Sequence, residues 1–547
     1  MAGLDVTEAT TPVEKSLRLS DQNLCPPVIA RQADQLLNPD ARIVIDTQIR
    51  SALLNKVASF ASGMLTGDGN RFFQFFWEPT SIKPDWEYLQ STVGLSEYYG
   101  GRSQVVFWQQ GTGELYAAAQ SVRHLNTAIQ RWRTGQVVWG KKGIIVSRMS
   151  GLASTLYLGD RFDDNVGAIC PNEESDLAAI WCYCSSPQFS LNVRSVDQAL
   201  KVTNSSLVKV PFDLAYWQKV AAEKNPHGLP KPFSSDPTQW LFNGQPKGSG
   251  QPLQVVVARL LGYQWPRQTG SSFPDCPALA PDDLIHQGDA DGIVCLPSAR
   301  GERPAHERLL HLLVAAWGDE WGNDTLSKLL AEAGSNSLDD WLRNRFFEQH
   351  CKLFHHRPFI WHIWDGRKRD GFHALVNYHK LAEGNGKGRR LLESLTYSYL
   401  GDWIARQQDG VKRGEGGAED RLAAALELQK RLIAIIEGEP PFDIFVRWKP
   451  IEEQAIGWAP DINDGVRLNI RPFMAKDIPG AKRGAGILRA KPNIHRNKDR
   501  GKEPIRDQAQ FAWFWNNGKF TGERVNDVHL TVAEKRAARE RAEDKQP

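Results

Sequence analysis

Phe359-Ile360-Trp361-His362-Ile363-Trp364, then Asp365-Gly366-Arg367-Lys368, then Phe372-His373-Ala374-Leu375-Val376-Asn377-Tyr378: this stretch decides the fold class. The two outer runs are rich in β-branched and aromatic residues and flank a polar Asp-Gly turn, the pattern of a β-hairpin. On either side the apolar period changes to three or four residues. Ser337 is placed to cap a helix whose apolar face holds Leu338, Trp341, Leu342 and Phe346. Leu422, Leu426, Ile433 and Ile436 repeat that spacing within residues 421–437, and Gly438 followed by Pro440-Pro441 stops it. A hairpin set between helices makes the chain mixed α/β, of the α+β kind.

Working back toward the N-terminus, short β-rich runs alternate with glycines. Val105-Val106-Phe107-Trp108, Val137-Val138-Trp139 and Gly143-Ile144-Ile145-Val146 read as strands, and Leu177 to Cys184 reads as a buried helix. Residues 1–44 read as a frayed leader, with turn chemistry at Cys25-Pro26-Pro27 and Asn38-Pro39-Asp40. Residues 214–300 are rich in Pro, Gly and polar residues and read as a spacer, interrupted by a short apolar helix from Leu253 to Leu261 that Gly262 stops. Residues 301–440 form a helical scaffold carrying the hairpin. Residues 441–547 are basic and loop-rich, and the last dozen residues read as a frayed helix.

Composition bounds the rest. The 547 residues exceed what one core holds, so two to four domains are expected. The net charge of +3 means that any affinity for nucleic acid comes from local patches. Seven cysteines, an odd and scattered set, fit free thiols in a reducing cytoplasm. The apolar run Leu309 to Trp317 falls well short of the roughly 18 residues a membrane helix needs, and the first residues lack the basic and apolar regions of a secretory signal. Most of the 19 tryptophans are expected in cores.

Four segments carry candidate chemistry. Residues 476–502 hold nine cations (Lys476, Lys482, Arg483, Arg489, Lys491, Arg496, Lys498, Arg500, Lys502) against two acids, mixed with Gly, Pro and Asn. A flexible basic loop suits phosphate contact, because each neutralised phosphate releases counterions; a plain solvated loop has the same composition. Just upstream, Val466 to Arg471 reads as a strand with Arg467, Asn469 and Arg471 on one face. Thr66-Gly67-Asp68-Gly69-Asn70-Arg71-Phe72 is a polar turn entering an aromatic strand, and Ser147-Arg148-Met149-Ser150-Gly151 follows a strand with hydroxyls and a guanidinium that can reach phosphate or base.

Thr66 to Phe72, Gly143-Ile144-Ile145-Val146-Ser147-Arg148 and Leu207-Val208-Lys209-Val210-Pro211-Phe212 occur in the order seen in target-recognition domains of large adenine-specific DNA methylases. The chain resembles that family, which serves type IIG restriction-modification and the BREX and DISARM anti-phage systems. Phe346-Phe347-Glu348-Gln349-His350-Cys351-Lys352, Arg357 to Trp364, Asp464 to Phe473 and Lys491-Pro492-Asn493-Ile494 look like the family's C-terminal region, so the resemblance spans roughly residues 45–535. It implies a target-recognition domain over 45–213. It also implies that Thr66, Asp68, Asn70, Arg71, Ser147 and Arg148 read or orient on the DNA. Arg467, Asn469, Arg471, Arg489, Lys491, Asn493, Lys498 and Arg500 are expected to hold phosphates.

The catalytic half of such an enzyme is missing. The family needs a glycine-rich loop for S-adenosylmethionine and an (Asn/Asp/Ser)-Pro-Pro-(Tyr/Phe) tetrapeptide that holds the flipped adenine. Glu439-Pro440-Pro441-Phe442 has the wrong first residue and reads as a helix stop; Gly384-Asn385-Gly386-Lys387-Gly388 lacks the partners of a nucleotide loop and reads as a surface turn. His350, Cys351, His355, His356, His362, His373 and His379 lack zinc spacing and read as core or surface residues, and Asp289 with Asp291 is too common a pair to mark a nuclease. The expectation is a DNA-recognising chain with no catalytic residue, metal or cofactor of its own. It would bind double-stranded DNA beside a separate methyltransferase polypeptide that carries S-adenosylmethionine, with other defence proteins as further partners and no membrane. The alternative is a non-enzymatic DNA-binding or scaffold protein descended from such a methylase.

Overall fold

The structure, a computed structural model, describes residues 2–6, 8–21, 23–36, 52–494 and 503–544. The fold is mixed α/β, and the contacts divide it into two compact units that interleave along the chain. One unit takes Met1–Met64, Ser91–Gly101 and Arg133–Pro230; the other takes Leu65–Gln90, Arg102–Trp132 and Lys231–Pro547. The sequence divides into consecutive segments, whereas these units are each assembled from three separate stretches.

The first unit is built on a four-stranded antiparallel sheet in the order Ala58–Ser62, Val166–Pro171, Gly143–Ser147, Ser154–Tyr157. Ile144 and Val146 point into a core shared with Ile180, Trp181, Phe189 and Val193 from the helices Leu177–Cys184 and Pro187–Val196. Ile145, between them, points into a second core with Tyr157, Phe162 and Ala168. Both faces are covered, which is why Gly143 to Val146 is an unbroken apolar run rather than an alternating one. Val137-Val138-Trp139, expected as a strand, is instead the 3-10 turn Gln136–Val138, with Val137 exposed. Gly135 enters it at φ +96, a conformation that breaks an extended run. The expected leader is partly ordered: Ala2–Gly3 pairs with Val28–Ile29, and Thr11 caps the helix Pro12–Ser20, none of whose residues is buried. Asn38-Pro39-Asp40 lies outside the described residues.

The second unit contains two three-stranded groups. Gln104–Phe107 pairs with both Phe73–Phe75 and Trp86–Gln90, and His373–Asn377 pairs with both Ile293–Cys295 and Ile360–Trp364. The expected hairpin forms as an antiparallel pair, with His362 opposite Leu375. Ser337 caps the helix Leu338–Asn344 by accepting from the Asp340 amide. The helix Ala418–Glu437 ends at Gly438 with φ +75. Lys387–Glu393 runs through the π-helical segment Ser394–Tyr399 into Leu400–Lys412. The C-terminal helix Val532–Glu543 begins with a capping box between Thr531 and Glu534.

The expected spacer needs correction. Residues 214–300 supply core: Trp240, Leu241, Phe242 and Trp265 are essentially inaccessible, and the helix Pro252–Leu260 is buried along its length. Pro and Gly mark turns here, but the aromatics between those turns bury enough apolar surface to fix them.

Candidate nucleic-acid interface

The structure turns most of the expected recognition residues inward. Ser147 is buried, and its hydroxyl exchanges hydrogen bonds with the Val93 backbone. Arg148 is 9% exposed; its Nε donates to the Val202 carbonyl at 3.0 Å and its Nη1 to the Asp164 carbonyl at 3.0 Å. Thr66 is buried, Asn70 is exposed, and Asp68 accepts from Nη2 of the fully buried Arg447 at 2.6 Å. Arg71 pairs with Glu114 at 3.2 Å and lies over the Phe72 ring.

The expected strand over 466–471 is the helix Val466–Asn469 followed by the 3-10 turn Arg471–Met474. Val466, Leu468 and Ile470 alternate, but so short an apolar run does not separate a strand from a buried helical turn. Gly465 at φ +82 makes the entry, and the polar residues are all consumed. Asn469 donates to the Tyr378 hydroxyl and the Asp461 carbonyl, Arg471 pairs with Asp527 at 3.0 Å, and Arg467 acts with Arg357 on the carboxylate of Glu78. Burial raises the pKa of Glu78 above the ordinary carboxylate range, and the two guanidiniums oppose that rise. None of the three presents its polar group to a phosphate.

The expected basic loop is half strap and half surface. Its strap runs beside the hairpin: the Trp364 amide donates to the Ile487 carbonyl at 3.1 Å, and the Arg489 amide donates to the His362 carbonyl at 2.9 Å. Ile478, Ala485, Ile487 and Leu488 are buried. Asp477 accepts from the Gly484 and Gly486 amides, closing the loop on itself. Arg489 belongs to this strap, with its guanidinium 4.6 Å from the centre of the Trp364 ring and its Nε donating to the Arg343 carbonyl. Lys498 and Arg500 lie outside the described residues, as does Arg496.

The surface half is a patch assembled from two loops. A Cβ on Gly366, at the hairpin turn, would sit 1.9 Å from the Pro479 carbonyl oxygen, and one on Gly480 would sit 2.4 Å from the Gly366 oxygen. Only glycine permits that approach, and it brings the hairpin tip against the basic loop. The tip carries exposed Lys368 and Arg369; the loop carries exposed Lys476, Lys482, Arg483, Lys491 and Asn493. Asp370 at the tip is held by Arg367 at 2.8 Å. Of the expected phosphate-holding residues that are described, Lys491 and Asn493 fall on this patch, while Lys368 reads in the sequence only as a turn residue. The clue to the tip cations is the run Arg367-Lys368-Arg369 at a β-turn, where side chains point to solvent.

The remaining motifs are structural. His350 accepts from the Ile360 amide at Nε2 and so donates from Nδ1 to Gln254. His373 donates to the Arg367 carbonyl and accepts from His362, and His379 donates to the Trp77 carbonyl. Burial pushes His350 and His373 down to about 3 and His379 to about 4, so these rings are neutral. Asp289 is held by Arg308 at 2.7 Å, and Asp291 accepts from the Tyr399 hydroxyl at 2.8 Å. Glu439 accepts from the Val532 amide just past the end of its helix, and Gly386 at φ +72 opens the helix Lys387–Glu393 as a turn. No helix among the described residues is long and apolar enough to cross a membrane.

No family model and no curated protein matches the chain. Among solved structures it is similar to the Type IIL restriction-modification enzyme MmeI in complex with DNA, at 13% identity and a TM-score of 0.21, over 52% of this chain and 36% of that one. The chain thus spans about a third of that structure's length. At that TM-score the likeness decides nothing about what this chain does.

Proposed function

We propose that this chain is the DNA-holding, sequence-recognising part of an adenine-specific N6 DNA methyltransferase of a restriction-modification or phage-defence system. It works with a separate polypeptide that binds S-adenosylmethionine and transfers the methyl group. The observation that carries the DNA half of this reading is the two-loop patch: Lys368, Arg369, Lys476, Lys482, Arg483 and Lys491 are exposed on loops that a glycine–glycine contact holds together. A rigid cluster of solvated cations gains affinity for a polyanion by releasing its counterions, with little ordering cost. The methyltransferase half is supported by the ordered motifs from Thr66 to Ile494, which resemble those of large adenine-specific DNA methylases.

The test is purification of the chain with the polypeptides encoded beside it, followed by adenine-methylation assay on genomic DNA. The expected result is co-elution of one partner and methylation that needs both. Duplex binding without any partner or methylation would leave a DNA-binding scaffold instead, and indifference to duplex DNA at modest ionic strength would end the reading.

A further inference from the structure

A cavity of about 670 Å³ is lined by residues from 76–88, 262–272 and 377–383, all of the second unit. Its aromatic residues are sunk: Phe76, Tyr88 and Tyr263 are at most 9% exposed and leave a guest little ring surface to meet. The accessible wall is polar. Thr80, Lys83 and Ser272 are exposed, and Gln264, Lys380 and Glu383 are half-buried.

The charge of that wall is unbalanced. Among the described residues, the ammoniums of Lys83 and Lys380 have no hydrogen-bond or ion-pair partner, and the side chains of Thr80, Gln264 and Ser272 have none either. Glu383 is the carboxylate of the described lining, and it is already paired with Lys387, which is not part of the wall. His379 adds no charge, because burial holds its pKa down to about 4 while its Nε2 donates to the Trp77 carbonyl. After the Lys387 bond, the Lys380 charge also lowers Glu383, and after burial it lowers His379, so its ammonium stands beside two residues of the wall. The lysines are also held in place. The Ser81 hydroxyl donates to the Lys83 carbonyl at 2.7 Å, closing the turn, and the Trp86 amide donates to the Ile82 carbonyl at 2.7 Å. The Lys380 stem lies against Gly292, where a Cβ would come 3.1 Å from its Cγ. Cations fixed in a recess attract an anion with little ordering cost.

We propose that this cavity binds the phosphate monoester of a small polar molecule such as a sugar. At neutral pH that group carries about two negative charges and three acceptor oxygens. The two unpaired ammoniums balance the charge, and the unpaired hydroxyls of Thr80 and Ser272 supply further donors. A carboxylate would leave one ammonium unbalanced, and an apolar guest would find the rings out of reach. A free sugar phosphate and the 5′-phosphate of a DNA end offer the same chemistry, and the site does not depend on the function proposed above.

The test titrates the full chain with ribose 5-phosphate and with ribose by calorimetry at low ionic strength. The expected result is saturable binding of the phosphate ester at about 1 mM or tighter, and none of ribose. Lys83→Gln and Lys380→Gln are each expected to weaken that binding several-fold. Their melting midpoints should match the parent's, since neither ammonium has a partner to lose. Duplexes that carry or lack a 5′-phosphate then identify the source. A 5′-phosphate that tightens duplex binding in the parent but not in Lys380→Gln assigns the site to a DNA end; without that effect it belongs to a free sugar phosphate. No saturable binding of ribose 5-phosphate overturns the proposal. So does binding that neither substitution weakens, or ribose binding as tight as that of its phosphate, which would mark a neutral sugar site.

Discussion

At the residue scale, the arginines show how little side-chain type says about role. Arg148 has the composition of a base-reading residue and the geometry of a brace: it ties the end of Gly143–Ser147 to the Val202 and Asp164 carbonyls. Replacing it with alanine leaves those buried carbonyls without a charged donor. Arg148→Ala is therefore expected to cost about 2–4 kcal/mol in urea denaturation while the preferred DNA sequence stays the same. A shifted sequence preference with an unchanged denaturation midpoint would return Arg148 to the recognition surface. The glycines make the complementary case. Gly366 and Gly480 are polar-turn residues in the sequence, and their reason for being glycine lies in each other.

At the element scale, the hairpin Ile360–Trp364 with His373–Asn377 is the frame on which the helix Phe346–Leu353 and the basic strap are hung, and its histidines are wired neutral. His350 is the clearest, because its Nε2 must stay unprotonated to accept from the Ile360 amide. Its folded pKa of about 3 lies below its unfolded value of about 6.5. The stability it contributes is thus fully present above pH 6.5 and falls as pH drops from there toward 3. Buried Asp365 and Asp291, both raised by burial to about 6, act in the opposite direction over the same range, so total stability is a poor reporter. The difference between parent and His350→Gln isolates the histidine. It is expected to shrink by about 1.4 kcal/mol per pH unit below 6.5, measured by urea denaturation between pH 7 and pH 5. A difference independent of pH would mean that the ring is accessible in the fold, and one that grows as pH falls would mean that it is charged there.

At the scale of the whole molecule, the net charge of +3 hides a local asymmetry. The exposed cations of the hairpin tip and the 476–491 loop lie on one patch, whereas the arginines of 467–471 are spent inside. Combined replacement of Lys368, Arg369, Lys482 and Arg483 by alanine is expected to weaken binding to all duplex sequences alike. It should also flatten the slope of log affinity against log salt by about 0.9 for each phosphate that is no longer neutralised. Loss of one sequence preference with an unchanged salt slope would place these residues at base edges instead.

What the chain announced locally was dictated by periods and punctuation. The hairpin, the Ser337 cap, the stops at Gly262 and Gly438 and the buried strand Gly143–Ser147 all follow from backbone rules that act within a few residues. Where a segment was short or rich in Pro and Gly, as at Val137, Val466 and throughout 214–300, local rules left several conformations open, and packing against distant aromatics chose one. Only the tertiary structure decided which cations face water. That depends on partners far away in the chain, such as Asp68 for Arg447 and Trp364 for Arg489, and no spacing within the sequence encodes them. A guanidinium goes inside when a carboxylate or carbonyl waits there to repay its desolvation, and stays outside when none does.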